Sequence, residues 1–497
     1  MKDFVVSQVL PSRLYAAGLA ALLLSAGAPC SADTIYTDQN KLFRSARQVT
    51  PLGASLFGDK VNLYTGALEF SQTDVALPGN SRLPVSIGRR LIANRYGHTG
   101  LFGSWDLEIP HLHGIFSKSQ GWVPLSGGAS ARCSNFSQPP TVSGSYGSLS
   151  VWKGTEYWHG SFLYVPGLGD QELLRRSHTY ETAPTGNGNY TYPIVTRNNW
   201  QVRCLPTMDP LNGSPGEAFV AVSPDGTEYR FDWMVSRDLE YLSKPYPDPD
   251  PGSGSVLLGG SLSTSGAGPG SVSPAAIGEN ALARKEVWIL PTRITDRFGN
   301  TVIYTYDTTN KWQLKSIAAS DGTGTPRTIT LNYLTPGSTA SYLVSSVSDG
   351  TRTWTYHYGG LDGRGPLQTV TLPDNSTWQL GGLDSLLSPV GYLNDGNCEE
   401  PGPVNAYQLR GTATHPSGAT AEFVLDPVRH GRVGVPQQCI VYIEPTSQTP
   451  FHPKLFDTYA LTKKTITGPG LPAMTWSTTY SNAISSWAPW DGKNGTK

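Results

Sequence analysis

The chain has 497 residues, 37 basic against 38 acidic side chains, and a formal net charge of −1. That length makes room for two to four domains at roughly 100–200 residues each, and the charge balance argues against a nucleic-acid-binding stripe or a charged tail. With 55 Gly, 39 Pro, 24 Tyr and 13 Trp against 4 Met, and only 15% charged residues, the composition excludes a helical bundle and argues against an α/β enzyme, while 38% hydrophobic residues with 10% aromatic argue against a disordered chain.

The first element reads as a targeting segment, residues 1–32. Lys2 and Arg13 flank the start of an apolar run of 13 residues, Leu14 to Ala26. Such a run suits a signal peptide and is too short to cross a bilayer as a helix. Pro29 ends it, and Cys30-Ser31-Ala32 sets small residues before the scissile bond, so cleavage is expected between Ala32 and Asp33. Pro29 beside Cys30 argues against an acylated cysteine. No later stretch reaches the ~18 apolar residues of a membrane span. The mature chain is therefore expected to be secreted, extracellular or periplasmic or at the cell surface, with no transmembrane segment.

Cysteine usage agrees with export. Removing Cys30 leaves Cys133, Cys204, Cys398 and Cys439, an even number suited to an oxidising compartment. Pairing within regions gives Cys133–Cys204 and Cys398–Cys439, one of the three connectivities open to four cysteines.

Residues 33–50 form a polar lead-in, and 51–244 read as a β-rich domain. Phe57 to Leu91 carries period-two apolar positions (Val61, Leu63; Leu68, Phe70; Val85, Ile87) broken by Gly58-Asp59, Thr65-Gly66 and Pro78-Gly79-Asn80, a β-meander pattern. Residues 245–280, rich in Pro, Gly and Ser, read as a linker. Beyond it, residues 281–497 repeat one unit: an Asp/Asn-Gly turn followed by a strand with alternating aromatics. The copies are Asp296, Gly299 and Asn300 with Tyr304, Tyr306 and Asp307; Asp321-Gly322; Asp349-Gly350 with Trp354, Tyr356 and Tyr358; and Asp374-Asn375 with Trp378. Weaker copies lie at Asp225-Gly226 and Ser417-Gly418. Units recurring every 20–50 residues stack, because one alone cannot bury its apolar face. The fold class expected is all-β: an N-terminal meander or sandwich, then stacked hairpins forming part of an open β-shell.

The Asp-x-x-Gly-Asn…Tyr-x-Tyr-Asp pattern at 296–307, continued by Leu314, Ile317 and Asp321-Gly322, resembles the YD repeats of the Rhs family. The block from Phe57 to Arg90 resembles the segment that opens many large secreted bacterial Rhs or wall-associated YD-repeat proteins. Together the two stretches, 57–90 and 296–322, cover about an eighth of the chain. The resemblance implies a hollow β-shell that encapsulates an effector, often a toxin, with a downstream YD-repeat or effector polypeptide as partner. The chain departs from the family in showing few repeats and no self-cleaving motif or effector domain, so it is expected to correspond to the front end of such a protein. Its strand Met474 to Tyr480 is uncharged and Pro-free, and is expected to present an open edge.

No constellation argues for catalysis. Asp106 and Glu108, then His111 and His113, share faces if 105–113 is one strand, and these residue types ligate metals. A half-exposed strand with solvated polar residues explains them more simply, so no metal and no cofactor are expected. Asp248 and Asp250 lack the following Glu of a calcium loop. The recurring aromatics read as cross-strand packing rather than as platforms for sugar rings. The expectation is a non-enzymatic module; the alternative is a secreted carbohydrate-binding or carbohydrate-degrading β-protein whose partner is a cell-surface glycan.

Overall fold

The computed structural model describes residues 55–488 except 63–65, 80, 82, 94–99, 146, 177–189, 245–279, 321–325, 335–341, 361–364, 389–406, 436–438, 442–447 and 451–453. The leader with its Ala32–Asp33 bond, the lead-in, Cys398 and the Asp321-Gly322 turn lie outside the described residues. The chain divides into two compact units, residues 1–56 and 57–497.

The second unit is all-β. Strands β1 (Asp59–Val61), β2 (Leu68–Ala76), β3 (Ser86–Ile92) and β4 (Asp106–Leu107) form an antiparallel four-stranded sheet. Most of the remaining strands belong to one sheet that closes on itself. Its first part is a ring: β5 (His111–Ser117), β8 (Ser161–Val165), β9 (Gly169–Arg175), β10 (Ile194–Thr196), β11 (Gln201–Leu205), β12 (Ala218–Val222), β13 (Glu228–Lys244) and β14 (Asn280–Thr295) pair in that order. The ring closes because Arg284 to Ile289 of β14 pair with β5. A ribbon of β6 (Val142–Gly144) and β7 (Gly147–Trp152) stands apart.

The sheet forks on β14. Its residues Arg293 to Thr295 leave β5 and pair with β15 (Thr301–Tyr306). From there the chain runs hairpin after hairpin: β16 (Leu314–Ser320), β17 (Arg327–Tyr333), β18 (Val344–Ser348), β19 (Thr353–Tyr358), β20 (Leu367–Thr371), β21 (Thr377–Gln379), β22 (Leu409–Thr414), β23 (Thr420–Gly431), β26 (Leu455–Gly468) and β27 (Leu471–Ser477). A small ribbon, β24 (Cys439–Val441) with β25 (Gln448–Pro450), interrupts the last part.

The two β-rich regions read from the sequence therefore share one sheet. Lys244 and Asn280 are strand partners at the end of the β13–β14 pair, so the Pro/Gly/Ser-rich segment joins two neighbouring strands instead of separating two bodies.

The inner face of the hairpin series packs on the four-stranded sheet. Phe57 meets Trp378 and Phe423 edge-on at 6.0 and 6.2 Å, Phe70 meets Phe423 at 4.8 Å, and Phe102 meets Tyr356 at 4.8 Å. Burial of each such side chain stabilises by about 1.5–3 kcal/mol. The β3–β4 side of the four-stranded sheet is covered on both faces: in β3, Ile87, Arg89 and Leu91 are buried on one face and Gly88 is buried beside half-buried Arg90 on the other, and in β4 both Asp106 and Leu107 are buried, whereas Lys60 of β1 and Thr73 of β2 are exposed. That double burial brings charged groups inside.

Candidate functional site

The repeat turns come first, because they set the register of everything they connect. Between β14 and β15 the Asp296 carboxylate accepts the N–H groups of Phe298 and Asn300, each at 2.9 Å. Between β18 and β19 Asp349 accepts from Thr351 and Arg352 at 3.0 and 2.7 Å. Each turn places one residue at positive φ: Gly299 at 87°, Gly350 at 90°, and Asn375 at 65° in the β20–β21 turn. Asn is the residue that most readily replaces Gly there. Asp307 opens the next loop by accepting from Thr309 and Asn310, and Lys315 at 2.7 Å helps hold its carboxyl down at about 2.

A second recurrence lies at the strand ends. Tyr306, Tyr333 and Tyr358 each stand at a register shift against the following strand. Each hydroxyl donates back to a carbonyl of the preceding strand: Tyr306 to Pro291 at 2.8 Å, Tyr333 to Leu314 at 2.8 Å, Tyr358 to Val344 at 2.6 Å. The phenol replaces a ladder hydrogen bond where the strands diverge, so the backbone acceptor stays satisfied. Tyr304, Tyr306, Trp354 and Tyr356 are buried and Tyr358 is half-buried, so these rings serve packing first, while Tyr304 and Tyr306 also border a groove.

Three charged links tie the inner sheet to the sheet around it. Lys464 Nζ on β26 lies 2.6 Å from both carboxylate oxygens of Asp59. Arg89, fully buried, donates its Nε to Asp74 at 2.9 Å, and Tyr356 on β19 donates to the same carboxylate at 2.9 Å. The Arg89 guanidinium lies 4.9 Å from the Trp105 ring centre, and its two η nitrogens have no hydrogen-bond acceptor. They border a cavity of about 10 Å³ walled by Phe57, Phe70, Trp105 and Trp378, the size of one water.

The third link joins Arg237 on β13 to Asp106 at 2.7 and 3.0 Å and to Glu286 at 2.8 Å. Burial alone would lower the Arg237 pKa, but the two carboxylates outweigh it and hold the guanidinium charged. Its plane lies 4.8 Å from the Trp288 ring centre and 5.4 Å from that of Trp312. A cavity of about 200 Å³ opens beside Asp106, Arg237, Trp312 and Tyr342.

The four residues considered as metal ligands are not brought together. Asp106 is held by Arg237. Glu108 lies beyond the end of β4; it accepts from Ser71 at 2.5 Å and from Tyr164 at 3.1 Å. His111 is buried and stacks on Trp288 at 3.7 Å; its Nδ1–H donates to the Ile109 carbonyl at 2.8 Å. Burial, then the neighbouring His113, lowers its pKa to about 3, so the ring is neutral. His113 reaches Asp170 at 3.0 Å. Among the described residues no group of three or more His, Cys, Asp and Glu side chains is placed to hold a metal ion. The expectation of a half-exposed, solvated strand at 105–113 is also corrected: Asp106, Glu108 and His111 are buried, because each finds a partner across the inner sheet or the ring.

Cys133 and Cys204 form a disulfide with an S–S distance of 2.05 Å. Cys439 starts β24, and its expected partner Cys398 is outside the described residues. The sequence reading missed Arg89, Arg237 and Lys464. The available signal was a basic residue inside an otherwise apolar strand (VSIGRRLI, LTKKTITG), which a period-two pattern assigns to the solvent face.

These features define an all-β protein in which one long meander, pinned by turn residues and tyrosine hydroxyls, closes over an inner sheet through buried ion pairs. Among solved structures the chain is similar to the TcdB2-TccC3 complex, at 11% identity over 79% of this chain and 20% of that chain, with a TM-score of 0.24. It is similar to the N-terminal domain of effector protein SpvB from Salmonella typhimurium strain LT2, at 11% identity over 82% of this chain and 100% of that chain, with a TM-score of 0.19. TcdB2-TccC3 without its hypervariable C-terminal region matches at 12% identity over 84% of this chain and 20% of that chain, TM-score 0.18. The chain thus covers about a fifth of the length of the TcdB2-TccC3 chains it matches. These likenesses are weak and carry no argument. No protein-family model matches the chain, and no curated protein matches it in sequence.

Proposed function

We propose that the chain is an exported, non-enzymatic structural module that forms the start of a β-shell of the Rhs/YD-repeat kind, acting in effector encapsulation or delivery by cell contact. One observation carries this reading: a single sheet runs hairpin after hairpin from the fork on β14, with the same turn and tyrosine device recurring along it. A wall is what such a device builds. The buried carboxylates of Asp59, Asp74 and Asp106 in the inner sheet and the imidazole of His111 on β5 are held by structural partners, which supports a scaffold over an active site. Among the described residues no helix is long and apolar enough to cross a membrane.

The test is to express the full chain in a secreting host with a polypeptide bearing further YD repeats and an effector. The expected results are a secreted chain whose intact mass starts at Asp33, and a stable complex that shields the effector from protease. Release of reducing sugar from a glycan panel, or retention on insoluble cell wall that is lost when exposed tryptophans are replaced, would overturn the reading in favour of a carbohydrate-active protein.

A further inference from the structure

At the fork, β13 and β14 carry register shifts on both sides of Phe231. Arg230 pairs with Arg293, Phe231 with Pro291, and Trp233 with Leu290. Asp232 and Thr292 are thereby extra residues, one in each strand. Such bulges bend strands and re-aim side chains, and they are enriched beside functional sites. Here Asp232 turns wholly inward, accepting from Thr292 Oγ1 and from Arg230 Nε, both at 2.5 Å.

The shifts leave two arginines as direct cross-strand neighbours. Like charges in that relation are destabilising. No described residue accepts a hydrogen bond from the η nitrogens of Arg230 or from any side-chain nitrogen of Arg293. Both side chains line a groove of about 420 Å³ with Thr292 and Thr305 on its walls and Trp233 and Tyr306 among its apolar lining. The two rings stack at 5.0 Å. A single acidic group borders the groove: Asp209, whose Oδ1 already accepts the Leu211 N–H at 2.9 Å.

We propose that this groove binds a small molecule or side chain that carries an oxyanion, a carboxylate or a phosphate, on a compact apolar body. The oxyanion lies between the Arg230 and Arg293 guanidiniums, and the body rests on Trp233 and Tyr306. The buried Asp232 is a positioning residue. By fixing the Nε of Arg230 it leaves both η nitrogens for the ligand, and it offsets part of the repulsion between the arginines. Guanidinium donors match oxyanions two at a time, which accounts for arginine at both positions. The volume is within the roughly 300–1,000 Å³ of ordinary ligand clefts.

The test titrates the full chain with phenyl phosphate, benzoate and phenol by calorimetry. Saturable binding of phenyl phosphate or benzoate, with phenol much weaker, is expected. Arg293→Ala should weaken the oxyanion probes about tenfold or more, the loss of one charge-assisted pair. Arg293→Lys should retain phosphate better than carboxylate, because the planar fork is what a carboxylate uses. The exposed Arg352, which pairs with Asp349 at a distant turn, supplies the control: Arg352→Ala should change nothing. Arg293 is solvent-exposed, so its variants should melt as the parent does; if Arg293→Ala does not, Arg293→Gln takes its place. Equal affinity for phenol and phenyl phosphate, unchanged affinity in the Arg293 variants, or no saturation at millimolar probe would overturn the proposal. A preference between the two oxyanions identifies the source.

Discussion

Replacing Lys464 by Met should reveal what the charged anchors of the inner sheet are worth. The Lys464 ammonium and the Asp59 carboxylate are 4% and 7% exposed. A pair this dry gains little over a packed apolar pair, but removing one partner strands the other charge, at a cost of about 3–5 kcal/mol. Met keeps most of the length of the stem, and the ammonium it removes lies 5.5 and 5.6 Å from the ring centres of Phe423 and Trp476, so the loss reports the charge with both its ion pair and its ring contacts. The double variant Asp59→Leu/Lys464→Met should recover most of it. The effect also depends on pH. Burial raises the Asp59 carboxyl above 3.8 despite the hydrogen bond and attraction from Lys464. A carboxyl whose folded pKa exceeds its unfolded one binds its proton more tightly when folded. Its contribution therefore favours the fold at acid pH and is lost as pH rises through the folded pKa. Without Lys464 that window extends upward, so the deficit should be greatest at neutral pH and shrink toward acid. Urea unfolding followed by tryptophan fluorescence and circular dichroism measures both effects. A Lys464→Met variant within about 1 kcal/mol of the parent at neutral pH, the range of an exposed pair, would refute the reasoning. So would a double variant as unstable as the single.

The tyrosine device predicts that Tyr333→Phe and Tyr358→Phe each cost about 1–2 kcal/mol in the same assay, the penalty for an unmet carbonyl. At Gly350, no atom lies near an added Cβ but φ is 90°, so Gly350→Val should cost about 1–3 kcal/mol through backbone strain alone. Gly350→Asn should be much milder, as Asn375 already occupies the equivalent place at φ 65°. The disulfide closes a loop of 71 residues, so Cys133→Ser/Cys204→Ser should lower stability by about 4 kcal/mol, and non-reducing peptide mapping should recover Cys133 linked to Cys204.

Local chemistry made the turns legible. Asp-Gly and Asp-Asn pairs announce a positive φ and an acceptor for the following N–H groups, and both conditions are met within five residues of chain. The all-β class followed from the same signals repeated. What joins the elements was not legible, because it depends on residues far apart. Asp59 and Lys464 are 405 positions apart, and Asp74 and Tyr356 are 282. Nothing in β3 distinguishes an arginine that faces water from one that faces Trp105 in a dry core. The low-complexity segment misled for a related reason. Composition reports that a stretch has no core of its own, but it does not report that the strands on either side pair with each other. The groove at Arg230 and Arg293 was equally hidden, since it arises from two register shifts that no single strand displays.

The pairing of Lys244 with Asn280 has an evolutionary consequence. Any sequence placed between them leaves the sheet and returns to it at one point, and its ends are held together by the β13–β14 pair itself. Doubling the length of such an excursion adds only about 0.6 kcal/mol of closure entropy. The wall can therefore carry inserts of very different size at this seam without a change in strand register. Relatives should diverge here first, and a foreign domain grafted at this position should leave the melting of the sheet nearly unchanged.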